Sequence, residues 1–266
     1  RYIPWPKWLP LPSNLRLKRS LRLLDSIVAG FIAQGRARTT PSDDLLSMLL
    51  HAQDEDGGRM TDKQLRDEAM TLFLAGHETT ALTLSWTWWL LARHPEVESK
   101  LWKEWNEVLG ERPFTADDLP RLRYTEWVVQ ESMRLYPPAY LIGREPTSDG
   151  ELGGYHLPKG TTIFLSQWAT HRDPRFWGEP DQFRPERWGG DRVRQMPKFA
   201  YFPFGGGPRI CIGNHFAMLE LALVLSTIGR RFRFTLQPDA AVAPQPMITL
   251  RPVPGIPAIV RRRDGR

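Results

Sequence analysis

A single cysteine serves the whole chain of 266 residues, and it sits in the stretch Phe204-Gly-Gly-Gly-Pro-Arg-Ile-Cys-Ile-Gly213. A lone thiol closes no internal disulfide and supplies no multi-cysteine zinc cage, so Cys211 must act as one sulfur. Gly205, Gly206, Gly207 and Pro208 precede it, and a largely apolar stretch from Ile212 to Ile228 follows. The pattern reads as a tight loop that brings the sulfur to a helix N-terminus. The helix dipole, the unpaired N–H groups and Arg209 would make that position hospitable to an anion, and an anionic sulfur suits a soft metal centre. The alternative is a buried structural cysteine, for which neither the glycines nor the arginine is needed.

A second group is Ala75-Gly-His-Glu-Thr-Thr80. A glycine inside a helix costs about 1 kcal/mol relative to alanine, and two successive β-branched residues add to that. The Thr79 hydroxyl can reach back to the Ala75 carbonyl and bend or open the helix, while Gly76 removes bulk at the same turn. A carboxylic acid, Glu78, then stands beside a hydroxyl, Thr79, in a groove, which is the equipment for passing a proton through water to a bound ligand. The alternative is a helix-packing glycine beside solvent-facing polar residues. A third group pairs Glu131 with Arg134 at i,i+3, and Pro185-Glu-Arg-Trp188 offers Arg187 as a second cation for the same carboxylate. A buried network of that kind would lock an irregular region in place.

The elements that must position these groups follow from periodicity. Leu15–Gln34 and a short segment at 45–51 read as helices, and Thr61-Asp-Lys-Gln64 is a capping box opening a helix that runs to Arg93. Helices are also expected over Pro95–Leu109, Tyr124–Tyr136 and 212–229, with short strands at 140–142, 161–165, 232–236 and 248–251. Residues 171–210, dense in Pro, Gly, Arg and aromatics, form an irregular packed meander, and Arg1–Ser13 an extended lead-in. With neither an internal repeat nor a linker, one domain is expected over 1–266, mainly α with small β-sheets (α+β). The formal charge of +6 comes from 36 basic residues interleaved with 30 acidic ones. Clusters at Arg16–Arg22 and Arg261–Arg263 read as a solvated face and a tail, so no nucleic-acid partner is expected. Ala81–Ala92 is too short and too polar to span a membrane. The lone cysteine and the lack of a signal peptide fit a cytoplasmic protein, although the chain begins at Arg1 and an upstream anchor stays open.

These elements, in this order, resemble the cytochrome P450 family of haem-thiolate monooxygenases, with a texture similar to soluble bacterial members related to fatty-acid and alkane hydroxylases. Ala75–Thr80 looks like the family's oxygen-activation motif, Glu131-Ser-Met-Arg134 like its Glu-x-x-Arg, and Pro185–Trp188 like its meander motif. Phe204-x-x-Gly207-x-Arg209-x-Cys211-x-Gly213 matches its haem-binding loop at each specified position. The resemblance implies haem b held by Cys211 as the axial iron ligand, within a loop of Phe204, Gly205, Gly207 and Gly213. It further implies Arg209 and Arg144 at the haem propionates, Ala75 and Gly76 beside the distal face, and Glu78 and Thr79 as the proton route to dioxygen. It implies hydroxylation of an apolar small molecule with electrons from an external ferredoxin, flavodoxin or reductase, docking near Arg192, Arg194 and Lys198. Family members are considerably longer, so the chain reads as N-terminally truncated. An inactive haem-binding fragment without a substrate lid, and a thiol enzyme using Cys211 with His215, are the alternatives.

Overall fold

The computed structural model describes residues 6, 8–40, 42–53 and 56–263, with the side chains of Arg192 and Arg194 set aside. Much of the Pro- and Trp-rich lead-in, Pro41 and the turn residues Asp54 and Glu55 therefore lie outside the described residues. Eight helices and eight strands follow in order: α1 (Pro12–Ala37), α2 (Leu45–His51), α3 (Asp62–Arg93), α4 (Pro95–Leu109), α5 (Arg123–Leu135), β1 (Ile142–Arg144), β2 (Gly150–Leu152), β3 (Tyr155–Leu157), β4 (Ile163–Leu165), α6 (Gln167–Thr170), α7 (Asp191–Arg194), α8 (Asn214–Gly229), β5 (Phe232–Leu236), β6 (Ala243–Pro246), β7 (Leu250–Val253) and β8 (Ala258–Arg262). Where one domain is expected from the sequence, the internal contacts divide the chain into two compact units, 1–77 and 78–266. The division falls inside α3, between His77 and Glu78.

In the first unit α1, α2 and the start of α3 share a small core of Val28, Ile32 and Leu65. Asp44 caps α2 by accepting the Ser47 N–H at 2.8 Å. The capping box at the start of α3 is formed: Thr61 N–H donates to Gln64 Oε1 at 2.9 Å and Gln64 N–H to Thr61 Oγ1 at 3.3 Å. The basic residues of α1 are solvated as expected.

The second unit holds the main core. Trp86, Leu101, Trp105, Leu122, Val128 and Leu225, from α3, α4, α5 and α8 and the turn before α5, are wholly buried. Trp86 stacks on Tyr136 with ring centroids 4.1 Å apart, and its indole N–H donates to the Leu250 carbonyl at 3.0 Å. Among the described residues the strands form four two-stranded antiparallel sheets: β1 with β4, β2 with β3, β5 with β8, and β6 with β7. The β2–β3 hairpin turns at Gly153 and Gly154, both at positive φ, as a two-residue turn of this hand requires. Arg261 and Arg262 are solvated as expected, but they stand in a strand and not in a tail. They belong to β8, paired with β5, and Arg263 beyond them donates to the Gly229 carbonyl at 2.8 Å and pairs with buried Glu98.

The meander is fixed by one carboxylate. Glu131, fully buried on α5, accepts from Arg134 Nε and Nη2 at 2.9 Å each, from Arg187 Nε at 2.8 Å, from Trp188 Nε1 at 2.9 Å and from the Arg184 N–H at 3.0 Å. Arg134, equally buried, spends its remaining N–H groups on the carbonyls of His171, Pro180 and Gln182. The network inferred from the sequence is thus present and buried. Removing one partner strands the other charge in a dry interior. Arg134→Met is expected to cost about 3–5 kcal/mol of unfolding free energy, read as a fall in the urea midpoint.

Candidate active site

The cysteine loop is shaped by its glycines. Gly205 (φ 74°) and Gly207 (φ 70°) adopt the left-handed conformation that L side chains resist. At Gly206 a Cβ would meet the Phe199 ring at 2.4 Å. The loop closes through Gly205 N–H to the Phe202 carbonyl (2.9 Å), Ile210 N–H to the Gly207 carbonyl (3.1 Å) and Cys211 N–H to the Phe204 carbonyl (2.9 Å). Phe204 packs half-buried against the main core. α8 starts at Asn214 with Gly213 as its cap, two residues later than expected from the sequence, so Cys211 stands before the helix. Its thiol is exposed, which removes the buried structural reading. Arg209 is exposed and has no ion pair among the described residues. Arg144, exposed at the end of β1, donates only to the neighbouring Gly143 carbonyl at 2.9 Å. β1 lies beside the loop: Ile142 Cδ1 is 3.5 Å from where a Gly205 Cβ would stand.

Glu78 faces the C-terminal strands. Its Oε1 accepts from Thr249 Oγ1 at 2.8 Å and from Arg251 Nε at 2.6 Å. Thr79 is half-buried, and its carbonyl accepts from Thr83 Oγ1 at 3.0 Å. The helix is continuous through 75–80, as the reading of one helix from Thr61 to Arg93 expects. From Glu78 the contacts continue: Leu250 N–H donates to the Pro138 carbonyl at 3.0 Å, and Tyr140 Oη to the Met247 carbonyl at 2.7 Å. The acid, the stretch 247–251, the segment 138–144 and the cysteine loop are therefore neighbours in one unit. Ala75 and Gly76 lie in the unit 1–77, on exposed α3 surface. A Cβ at Gly76 would meet nothing within 4 Å, so packing does not demand glycine there. His77 and His215 are exposed, and no three His, Cys, Asp or Glu residues among the described ones are grouped to hold a metal.

The sequence model of the family described as Cytochrome P450 matches residues 1–257. The chain belongs to the cytochrome P450 family. Among its relatives are pentalenene oxygenase of Streptomyces avermitilis, 42% identical over 91% of this chain and 54% of that protein, and cyclooctatin synthase of Streptomyces melanosporofaciens, 42% identical over 91% and 53%. A cyclooctat-9-en-7-ol 5-monooxygenase of the latter organism is 40% identical over 93% of this chain and 50% of that protein. The chain spans about half the length of these relatives.

Cytochromes P450 carry haem b and use dioxygen, and the residues present fit that group. Ile212 and Phe216, flanking Cys211, are 89% and 69% exposed, an apolar surface suited to a porphyrin face. Arg209 and Arg144 are exposed cations, of the charge that would suit its carboxylates. No helix among the described residues is long and apolar enough to cross a membrane. Sequence reasoning missed Thr249 and Arg251, which meet Glu78 across more than 170 residues and leave no local signal. It also missed His171, fully buried next to the loop, whose Nε2 accepts the Phe202 N–H at 2.9 Å. Burial, then the charges of Arg134 and Arg172, push the His171 imidazole down from 6.5 to about 3. Below its ordinary value the unfolded imidazole takes a proton that the folded one refuses, so stability is full above pH 6.5 and falls as pH drops toward 3. The expected slope from this group is about 1.4 kcal/mol per pH unit. Urea unfolding between pH 7 and 4.5 should show it, and His171→Gln should remove that contribution.

Proposed function

We propose that this chain carries the iron-ligating and proton-delivering residues of a monooxygenase that hydroxylates an apolar organic substrate, taking electrons from an external ferredoxin, flavodoxin or reductase. The observation that carries the reading is the exposed Cys211 thiol on its glycine loop within a family match that spans nearly the whole chain. The name of the cyclooctat-9-en-7-ol 5-monooxygenase supports insertion of one oxygen atom. When bound, haem supplies the activation of dioxygen. Cys211 Sγ would hold its iron, Arg209 and Arg144 would pair with its propionates, and Phe204 would pack beside the sulfur. Gly205, Gly207 and Gly213 keep side chains off the approach. Ala75 and Gly76 precede the acid in the oxygen-activation motif, and a Cβ at Gly76 would meet nothing within 4 Å, which counts against a helix-packing role for that glycine.

The acid–hydroxyl pair supplies protons. A proton held at the Glu78 carboxyl passes through water to Thr79 Oγ1 and on toward the reacting oxygen. Thr249 and Arg251 hold that carboxylate in place beforehand. A second reading, haem binding without turnover, is favoured by the same engagement, since an acid held by an arginine is not free to shuttle.

Two variants separate these readings. The haem-loaded, reduced protein should show a thiolate-type carbon monoxide difference band that Cys211→Ser abolishes. Thr79→Ala should lower product formed per electron consumed by about tenfold or more while electron consumption continues and peroxide is released. Coupling unchanged in Thr79→Ala would remove the proton-delivery role and leave the non-catalytic reading.

A further inference from the structure

His171 stands where the ion network meets the cysteine loop. It follows α6 in a helical conformation, and its N–H donates to the Gln167 carbonyl at 2.8 Å. Its own carbonyl accepts from Arg134 Nη1 at 2.8 Å, so its backbone is fastened to the buried Glu131–Arg134 pair. Its ring points the other way in the chain, toward the loop. Nε2 accepts the Phe202 N–H at 2.9 Å, and the imidazole lies against the rings of Tyr201 and Phe202 with centroids 5.0 and 5.3 Å apart. Phe202 in turn gives its carbonyl to Gly205, the first left-handed glycine of the loop.

The chemistry of this contact leaves one protonation state. A backbone N–H only donates, so Nε2 must keep its lone pair, and a neutral ring then carries its proton on Nδ1. A second proton would set N–H against N–H. The groups facing the ring act in the same sense. Arg134 and Arg172 repel a positive imidazole, and only the carbonyls of Met133 and Arg134, at the C-terminal end of α5, pull slightly the other way. Those carbonyls do not complete a hydrogen bond with Nδ1, which is buried without a partner, as are both amide atoms of Gln167 one helical turn earlier. Tyr201, half-buried, donates to the Gln130 carbonyl and offers the ring no charge.

We propose that His171 is a positioning residue of the cysteine loop: its Nε2 lone pair carries the Phe202 N–H and so ties the Glu131–Arg134 pair to the segment that turns back to Cys211. The link is made by the side chain, whereas the link to Arg134 is made by the backbone carbonyl. A substitution at position 171 therefore cuts the first and spares the second. The consequence for iron rests on the reading of Cys211 as axial ligand; the consequence for the loop does not.

The test begins with the wild-type chain, 15N-labelled at histidine. The ring nitrogens of His171 should report the Nδ1–H tautomer with Nε2 accepting, and should not titrate between pH 8 and 5; a midpoint near the ordinary 6.5 would overturn the proposal. His171→Gln keeps an acceptor at the reach of Nε2, and His171→Leu removes it. Hydrogen exchange of the Phe202 amide should quicken about tenfold in the Leu variant and stay within about threefold of wild type in the Gln variant. After haem loading, the thiolate-type fraction of the carbon monoxide complex should fall at least about twofold for Leu and recover with Gln. Leu and Gln variants that behave alike in both measurements overturn the proposal. A protected Phe202 amide in a wild-type chain that never shows the thiolate band overturns the Cys211 reading and supports the positioning of the loop.

Discussion

The Glu131 carboxylate is the point on which the second unit depends. It takes five donors from three places in the chain: Arg134 one helical turn away, the N–H of Arg184, and the side chains of Arg187 and Trp188 in the meander. Removing a carboxylate and two guanidiniums from water costs several kcal/mol per ion, so the arrangement holds only if the donors are satisfied together. They are, through the carbonyls of residues 171, 178, 179, 180 and 182. An irregular stretch without a helical or strand ladder thereby gains a substitute for one. The cysteine loop leaves that stretch and inherits its fixed starting point.

Downstream of that anchor the loop is governed by backbone geometry. Two left-handed glycines and three backbone hydrogen bonds turn the chain so that Cys211 faces outward ahead of α8. The exposed residues near Cys211 in sequence are apolar or cationic, Ile212, Phe216 and Arg209, and Arg144 is exposed on β1, the strand beside the loop. A macrocycle with an apolar face and carboxylate edges complements both kinds at once. On α3 the complementary feature is an acid held in readiness by Thr249 and Arg251.

Much of this was legible in the sequence. α4 begins and ends where its proline and its amphipathic period place it, and the Thr61–Gln64 capping box opens α3 as expected. Glu131, Arg134 and Arg187 could be grouped because two lie one turn apart and the third lies within a distinctive tetrapeptide. The strands β2, β3, β6 and β8 were missed for physical reasons: β2 and β3 are three residues each about a Gly-Gly turn, too short to show a period. β6 carries Pro244 and Pro246, which donate nothing to a ladder, and β8 is rich in arginine that reads as tail. Thr249, Arg251 and His171 were illegible because their partners lie far off in sequence, and neither periodicity nor composition reports such meetings. The division at His77–Glu78 was hidden by the continuity of α3, whose pattern crosses it without a break.

Distance along the chain has a further meaning for the acid on α3. Glu78 and Thr249 are 171 residues apart. At a synthesis rate of about 5–20 residues per second, roughly 10–30 s separate the appearance of the acid from that of its hydroxyl partner. Cys211 is made in between. The carboxylate thus acquires its orientation after the sulfur loop exists, when the last strands pair. Such a contact is late by topology as well as by clock, since long loops must close before it repays them. A nascent or C-terminally shortened chain would present the thiol loop complete and the acid unrestrained, so the last strands decide when the two halves of the chemistry become simultaneous.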